Sequence, residues 1–302
     1  MKLVALPLAF AALGFSQTSV AQAPAVPSAD SNLSELSDEF EGASLDPKWV
    51  RFDKEFGWPD KLKSIDLGKT TPGALNLQPY DSAWVRDVQA PFLFQRIQGD
   101  FDVRARVRVR SSKGPIAAGT WSLGGIMARV PNGLTEKTWE PRRENWHFIT
   151  TGVGLEPGQP RIETKGTYNS YSSLKLRRVE PGWVELRMVR IGMTLFTLAR
   201  SDPNGQWKVR DRFYRMEPSP FMQVGLIAYT TSPDAKPTPE NAAVANRTVE
   251  TALPVDMQMD IDWIRFSRPR LNIERDWQVQ VQAHPLADPN LAEARILEAL
   301  GA

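Results

Sequence analysis

The chain has 302 residues, 41% of them hydrophobic and 24% charged, with a formal net charge of +2. That near-neutral balance excludes bulk electrostatic binding to nucleic acid or to a membrane surface. The absence of cysteine excludes disulfides, thiol catalysis and thiolate metal sites, and two histidines, His147 and His284, are too few for a histidine-rich site.

In chain order, Lys2 precedes an apolar run from Leu3 to Phe15 that is too short to span a bilayer. Ala21-Gln22-Ala23 then offers a small-x-small cleavage site. Residues 1–23 therefore read as a signal peptide, and the protein as secreted or periplasmic, with a mature start near Pro24. No other run has the length of a membrane span. Residues 24–36, small and polar with proline, are expected to form a flexible linker.

Short β-branched and aromatic runs follow, broken by Gly, Pro, Asn and Asp. The clearest is Phe101–Arg110, where Phe101, Val103, Ala105, Val107 and Val109 alternate with Asp102, Arg104, Arg106, Arg108 and Arg110. One face is apolar and the other charged, as in an antiparallel sheet packed on one side. Further strands are expected over Leu123–Val130, His147–Leu155, Arg161–Lys165, Val184–Arg190, Leu195–Ala199, Phe221–Tyr229 and Met257–Phe266. No helical periodicity is sustained between Asp38 and Leu271, and Ser232–Pro254 reads as a long surface loop. After Asp288-Pro289, the spacing of Leu291, Ala294, Leu297 and Leu300 predicts a short C-terminal helix. The pattern describes an all-β sandwich or jelly roll of two antiparallel sheets over 37–270, with an extension carrying the helix over 271–302.

Several stretches, in order, resemble the concanavalin A-like lectin/glucanase superfamily, above all its DUF1349-like and β-xylosidase C-terminal-type sandwich domains. They are Asp38–Trp49, Ala90–Gln95 with Gly99–Val103, Gly124–Arg129, Trp183–Arg187 with Ser201–Trp207, Val224–Ala228 and Ile261–Phe266. The resemblance implies a concanavalin A-like jelly roll with a poly- or oligosaccharide ligand on the concave sheet. That scaffold hosts lectins, carbohydrate-binding modules, glycosidases and lyases alike. The Glu-x-Asp-x-x-Glu run of family-16 glycosidases is absent, as are the Gln-Ile-His and complete Arg-x-Glu-Leu-Arg signatures of alginate-lyase-type sandwiches.

The resemblance also implies a structural Ca²⁺ held by Asp262 and the Gly42 carbonyl, oxygen donors that suit this ion. The competing reading makes Asp262 a hydrogen-bonded edge carboxylate. Arg104 and Arg106, with Arg129 and Arg187 on neighbouring strands, either grip an anionic sugar or form a solvated face cross-paired with acids such as Glu163 and Glu185. His147 beside Glu163 or Glu185 is the candidate acid–base cluster, against a structural histidine. Trp139, Trp146 and Tyr168, together with Trp84, stand near loops where aromatic rings stack on sugars or pack. Trp49, Trp183, Trp207 and Trp263 fall within the motifs and are expected in the core.

These residues leave three readings open. One is a secreted glycan-binding or glycan-associated protein. The second is a polysaccharide-active hydrolase or lyase with a non-standard site, and the third a structural or adhesive envelope protein.

Overall fold

The structure, a computed structural model, describes residues 26–28, 31–214, 219–235, 241–271 and 285–302. The expected signal peptide and His284 lie outside these residues. In chain order the elements are β1 (Val50–Arg51), α1 (Phe52–Phe56), β2 (Leu62–Leu67), β3 (Leu75–Pro79), β4 (Phe92–Ile97), β5 (Phe101–Arg110), β6 (Ser122–Arg129) and β7 (Trp146–Val153). They continue with β8 (Pro160–Tyr168), β9 (Tyr171–Arg178), β10 (Val184–Ile191), β11 (Thr194–Arg200), β12 (Lys208–Phe213), β13 (Met222–Tyr229), α2 (Ala242–Arg247), β14 (Gln258–Ser267) and α3 (Glu293–Ala299).

Two seven-stranded antiparallel sheets face each other. The first runs β1-β4-β13-β6-β7-β8-β9 and the second β12-β11-β10-β5-β14-β3-β2. Strand alternation builds the layer between them. Phe101, Val103, Ala105 and Val107 of β5 are fully buried against Ile126 and Ala128 of β6, Ile149 of β7, Leu186 of β10 and Val224 of β13. Trp49 joins this core as expected.

Parts of both outer faces are also covered. On the first, Phe92, Phe94, Met127, Trp146, Phe148 and Tyr229 are packed under Phe52, Trp58 and Trp84. On the second, α3 lays Ile296, Ala299 and Leu300 over Val189, Phe196 and Leu198. Ala294, expected on that face, is exposed instead. This covering leaves β6, β10 and β13 buried along their whole length, which hides the alternation in their sequences.

Three local departures from expectation have clear causes. The stretch 31–36, placed in the flexible linker, is tied to the sandwich: Leu33 is fully buried and the Leu36 carbonyl accepts from Gln95 Nε2 at 2.7 Å. Two short helices, α1 and α2, interrupt the strands; α2 lies within the expected loop 232–254, capped by the Asn241 side chain accepting from the Val244 amide. In β14 the register slips between Ile261 and Trp263, a β-bulge that leaves Asp262 as the extra residue.

Candidate functional site

The arginine stripe of β5 lies on the outer face of the second sheet, and each guanidinium has an acid. Arg104 donates to Asp102, Arg106 to Asp262 at 2.6 Å, and Arg108 and Arg110 to Asp260 at 2.8 and 2.7 Å. Asp260 is fully buried. Burial raises its pKa, yet hydrogen bonds from Arg110, Asn76, Arg108 and Thr71 together hold it below the ordinary carboxylate range. Trp183 lies under Arg106 and Arg108 with ring-centroid distances of 4.9 and 4.7 Å, and Trp207 is buried beneath Arg200 at 4.6 Å. Trp263 carries Arg265 at 4.3 Å. Trp183, Trp207 and Trp263 thus belong to this outer ladder, not to the inter-sheet core: Trp183 and Trp207 meet the outward arginines, and the bulge in β14 sets Trp263 opposite Arg106. The acids are Asp102, Asp260 and Asp262, not Glu163.

The remaining expected binding residues do not meet on one face. Arg187 is buried, bidentate to Asp102 at 3.0 and 2.7 Å, and donates to the Leu300 carbonyl beneath α3. Arg129 is buried on the outer face of the first sheet, bidentate to Glu144 at 2.8 and 2.7 Å and donating to Gln223. Trp146 is fully buried, stacked on Phe148, and Trp139 packs against the same aromatic cluster. Tyr168 closes β8 at the surface. Trp84 and Trp146 are thus fully buried in packing, and Trp139 is partly buried against them.

The three candidate catalytic residues lie on three different surfaces. Glu163 is fully buried on the first sheet's outer face, contacting Lys165 Nζ at 2.9 Å and accepting from the Tyr229 hydroxyl. Glu185 accepts from Arg200 at 2.9 and 2.7 Å on the second sheet's outer face. His147 faces between the sheets at their β8–β12 edge. Its ring centroid is 4.2 Å from that of Phe213, and Nδ1 is buried without a partner. Burial holds its pKa down to about 4. A Cβ at position 166 would stand 2.8 Å from Nδ1, so Gly166 is what lets the imidazole fit. Of the expected metal pair, Gly42 sits on an exposed bend, while the Asp262 carboxylate is engaged by Arg106. Among the described residues no three His, Asp or Glu side chains gather as a cation site.

The structure instead opens a cleft that the sequence did not single out. It lies at the margin of the first sheet's covered face, lined by Phe52 and Asp53 of α1, Trp58–Lys61, Gln89–Pro91 and Asn246 of α2, and its enclosed room is about 20 Å³, close to that of a single water. Helix α1 ends at Gly57, whose left-handed φ of 74° turns the chain so that Trp58 faces back over the helix. The Trp58 amide then donates to the Asp53 carbonyl at 2.9 Å.

The charged groups of this cleft are held in place by one another. Arg51 bridges Asp53 and Asp60 at 2.9 and 2.5 Å. Lys61 Nζ donates to the carbonyls of Gln89 at 3.1 Å and Ala245 at 2.8 Å. Burial lowers the Lys61 pKa to about 8 against the opposing influence of Asp81. The Gln89 amide N–H donates to Asn246 Oδ1 at 2.9 Å, and its side-chain Nε2 to Glu144 Oε1 at 3.2 Å. Two side-chain atoms in this wall have no partner: Trp58 Nε1 and Gln89 Oε1.

Among solved structures the chain is similar to the GH43 protein BlXynB from Bacillus licheniformis, at 12% identity and TM-score 0.52. The match covers 77% of this chain and 39% of that one. A functionally unknown protein from Saccharomyces cerevisiae aligns at 16% identity and TM-score 0.48, over 70% of this chain and 96% of that one. Rv0315 of Mycobacterium tuberculosis, described as an immunostimulatory antigen and pseudo β-1,3-glucanase, aligns at 12% identity and TM-score 0.45, over 78% and 98%. The chain therefore has the concanavalin A-like sandwich fold its motifs resemble, and spans about two fifths of BlXynB. No protein-family model matches it, and comparison with curated proteins finds no relative.

Proposed function

We propose that this protein is an exported, glycan-binding sandwich protein whose ligand lies across the mouth of the Trp58–Gln89 cleft. The observation that carries the reading is the composition of that wall. Phe52, Trp58, Pro59 and Pro91 supply apolar and ring surface, while Asp53, Asp60, Lys61 and Gln89 supply fixed polar groups around it. A sugar presents the same combination, apolar C–H faces ringed by hydroxyls. The GH43 name of BlXynB, a glycoside hydrolase designation, accords with a glycan-associated role for the shared fold. The concave-sheet location expected from the sequence gives way here to a marginal cleft, because aromatic packing fills the middle of the first sheet's outer face.

The hydrolase or lyase reading draws no support from His147, Glu163 and Glu185, which no single ligand can touch together. The experiment is calorimetric titration of the purified protein with neutral and acidic oligosaccharides, alongside assays for reducing ends and for unsaturated products. Millimolar or tighter binding without turnover is expected. Absence of binding across the panel would return the protein to the structural or adhesive class, and turnover would make it an enzyme.

A further inference from the structure

On the outer face of the second sheet, successive cross-strand rows differ in charge. One row runs Arg108, Asp260, Asn76 and Asp66 across β5, β14, β3 and β2. The next outward row begins with Arg110 opposite Gln258. Continuing the β14–β3 register brings Gln78 beside Gln258, and Ser64 lies opposite Gln78 with Lys63 as the extra residue of a bulge in β2. Gln258 and Ser64 thus stand where the first row has its two acids. Arg110 is drawn back towards the first row, donating to Asp260 at 2.7 Å, to the Ser111 carbonyl at 3.1 Å and to Thr71 at 3.2 Å.

This end of the sheet holds a trough with about 270 Å³ of room, against about 20 Å³ in the Trp58–Gln89 cleft. Gln258 and Gln78 line it, with Lys63, the Ser112–Lys113 turn and Asp256. Strands β5 and β2 stand three strand spacings, about 14 Å, apart, so Lys113 and Lys63 approach the glutamines from two sides. Both lysines are exposed, and among the described residues neither ammonium has an ion pair or a hydrogen bond. Asp256 is the one acid among the described lining residues, and its Oδ1 accepts from the Ser112 amide at 2.7 Å.

We infer that the trough binds a sugar acid, its carboxylate held between Lys63 and Lys113 and its hydroxyls bonded to Gln78, Gln258 and Asp256. Two cations against one acid in the lining favour an anion. Lysine carries its charge on a long flexible stem, which lets both ammoniums converge on one group. Charge alone does not complete the match. The Asp256 carboxylate only accepts, and each glutamine offers an oxygen beside its amide N–H groups. A bare sulfate or phosphate sets lone pairs against those acceptors, whereas a hydroxyl both donates and accepts. The room lies just under the lower end of ligand pockets, about 300 Å³, which suits one sugar unit and not a long chain. That unit is a free monosaccharide acid or the end residue of an acidic chain, with the same chemistry in either case. The trough lies on the other sheet from the Trp58–Gln89 cleft, so this inference goes beyond the reading of that cleft and stands or falls without it.

The test titrates galacturonate, glucuronate and mannuronate, the tetramers of galacturonate and mannuronate, the matching neutral hexoses, and sodium sulfate into the full chain. The same series is run on a double variant carrying Lys63→Gln and Lys113→Gln, with melting curves for both proteins. The substitutions remove two exposed ammoniums, so the melting temperature is expected to be unchanged. At least one uronate is expected to bind, to lose roughly tenfold in affinity in the double variant, and to weaken with added sodium chloride. Sulfate is expected to bind at least roughly tenfold more weakly than that uronate, and the hexoses to behave alike with both proteins. Binding of the monomer alone makes the ligand a free sugar acid. Binding of a tetramer that is at least as tight, and is weakened by the double variant, makes it the end of an acidic chain. Uronates bound equally by both proteins, sulfate bound as tightly as any uronate, or no binding of any acid overturns the inference. Should the double variant melt lower, the parent protein supplies the second measurement: uronate binding that added salt leaves unchanged rejects the assignment.

Discussion

Across the ladder between β5 and β14, Arg106 Nη1 donates to Asp262 Oδ2 at 2.6 Å, a contact made possible by the bulge that adds Asp262 to its strand. One residue was a candidate for anionic sugar and the other for calcium, and each is the other's partner. Both side chains are 32% exposed. Such a pair contributes below about 1 kcal/mol, so Arg106→Gln is expected to leave the melting temperature nearly unchanged. We also propose that EDTA leaves it unchanged, since the Asp262 charge is already countered. A calcium-dependent melt that Asp262→Ala abolishes would restore the metal.

Asp260 behaves differently, although it stands two residues away. Its carboxylate is fully buried and accepts from Arg108, Arg110, Asn76 and Thr71. Asp260→Ala strands two guanidiniums beside a cavity and is expected to cost about 3 kcal/mol or more in denaturant unfolding. Because the folded pKa lies below the ordinary value, the stabilisation is complete above pH ~4 and is lost as pH falls further. The variant's acid limb should accordingly be shallower than the parent's; an unchanged limb rejects the assignment.

The β5 stripe was legible because one face is wet and the strand alternates strictly. β14 was legible except at its bulge, which the sequence marks by the step of three from Ile261 to Ile264 where two would continue the alternation. β10 carries Glu185 and Arg187 among apolar residues with no exposed face, and nothing local foretells that α3 covers it. Trp58 and Gln89 are 31 positions apart and meet only through the helix–turn at Gly57 and the approach to β4. The local sign was there in Gly57-Trp58-Pro59-Asp60, a turn sequence that presents an indole. Which polar atoms go unpartnered depends on the tertiary contacts of Glu144, Asn246 and Lys61, and no spacing in the chain encodes that.

His147 predicts an acid transition. Its folded pKa near 4 lies below the ordinary 6.5, so the neutral ring is favoured on folding. The resulting stability is complete above pH ~6.5 and lost as pH falls towards 4, by at most about 3 kcal/mol. His147→Asn should remove that part of the pH dependence while Asp211 and Lys175, paired nearby at 2.6 Å, remain. Parallel stability curves for the two proteins between pH 4 and 6.5 would show that the ring is protonated as easily in the fold as outside it.

Lys61 makes the complementary prediction at alkaline pH. The ammonium is 7% exposed and bonded only to carbonyls, so folding opposes its charge and lowers its pKa from 10.5 to about 8. Here too the unfolded chain binds the extra proton, and stability therefore rises with pH across the interval from about 8 to 10.5. The gain approaches about 3 kcal/mol when the interval is complete. Lys61→Met keeps the aliphatic stem and removes the charge, so urea unfolding of the variant should show no such rise relative to the parent protein. The variant also frees the carbonyls of Gln89 and Ala245, which offsets part of the relief at neutral pH and makes the difference between the two curves, not either curve alone, the diagnostic quantity. If that difference is flat from pH 8 to 10.5, Lys61 keeps an ordinary pKa and remains fully charged in the cleft. If it slopes as expected, the third ammonium proton is progressively withdrawn over the same interval. Ligand affinity at the Trp58–Gln89 cleft should then weaken between pH 8 and 10.5 in the parent and stay level in Lys61→Met.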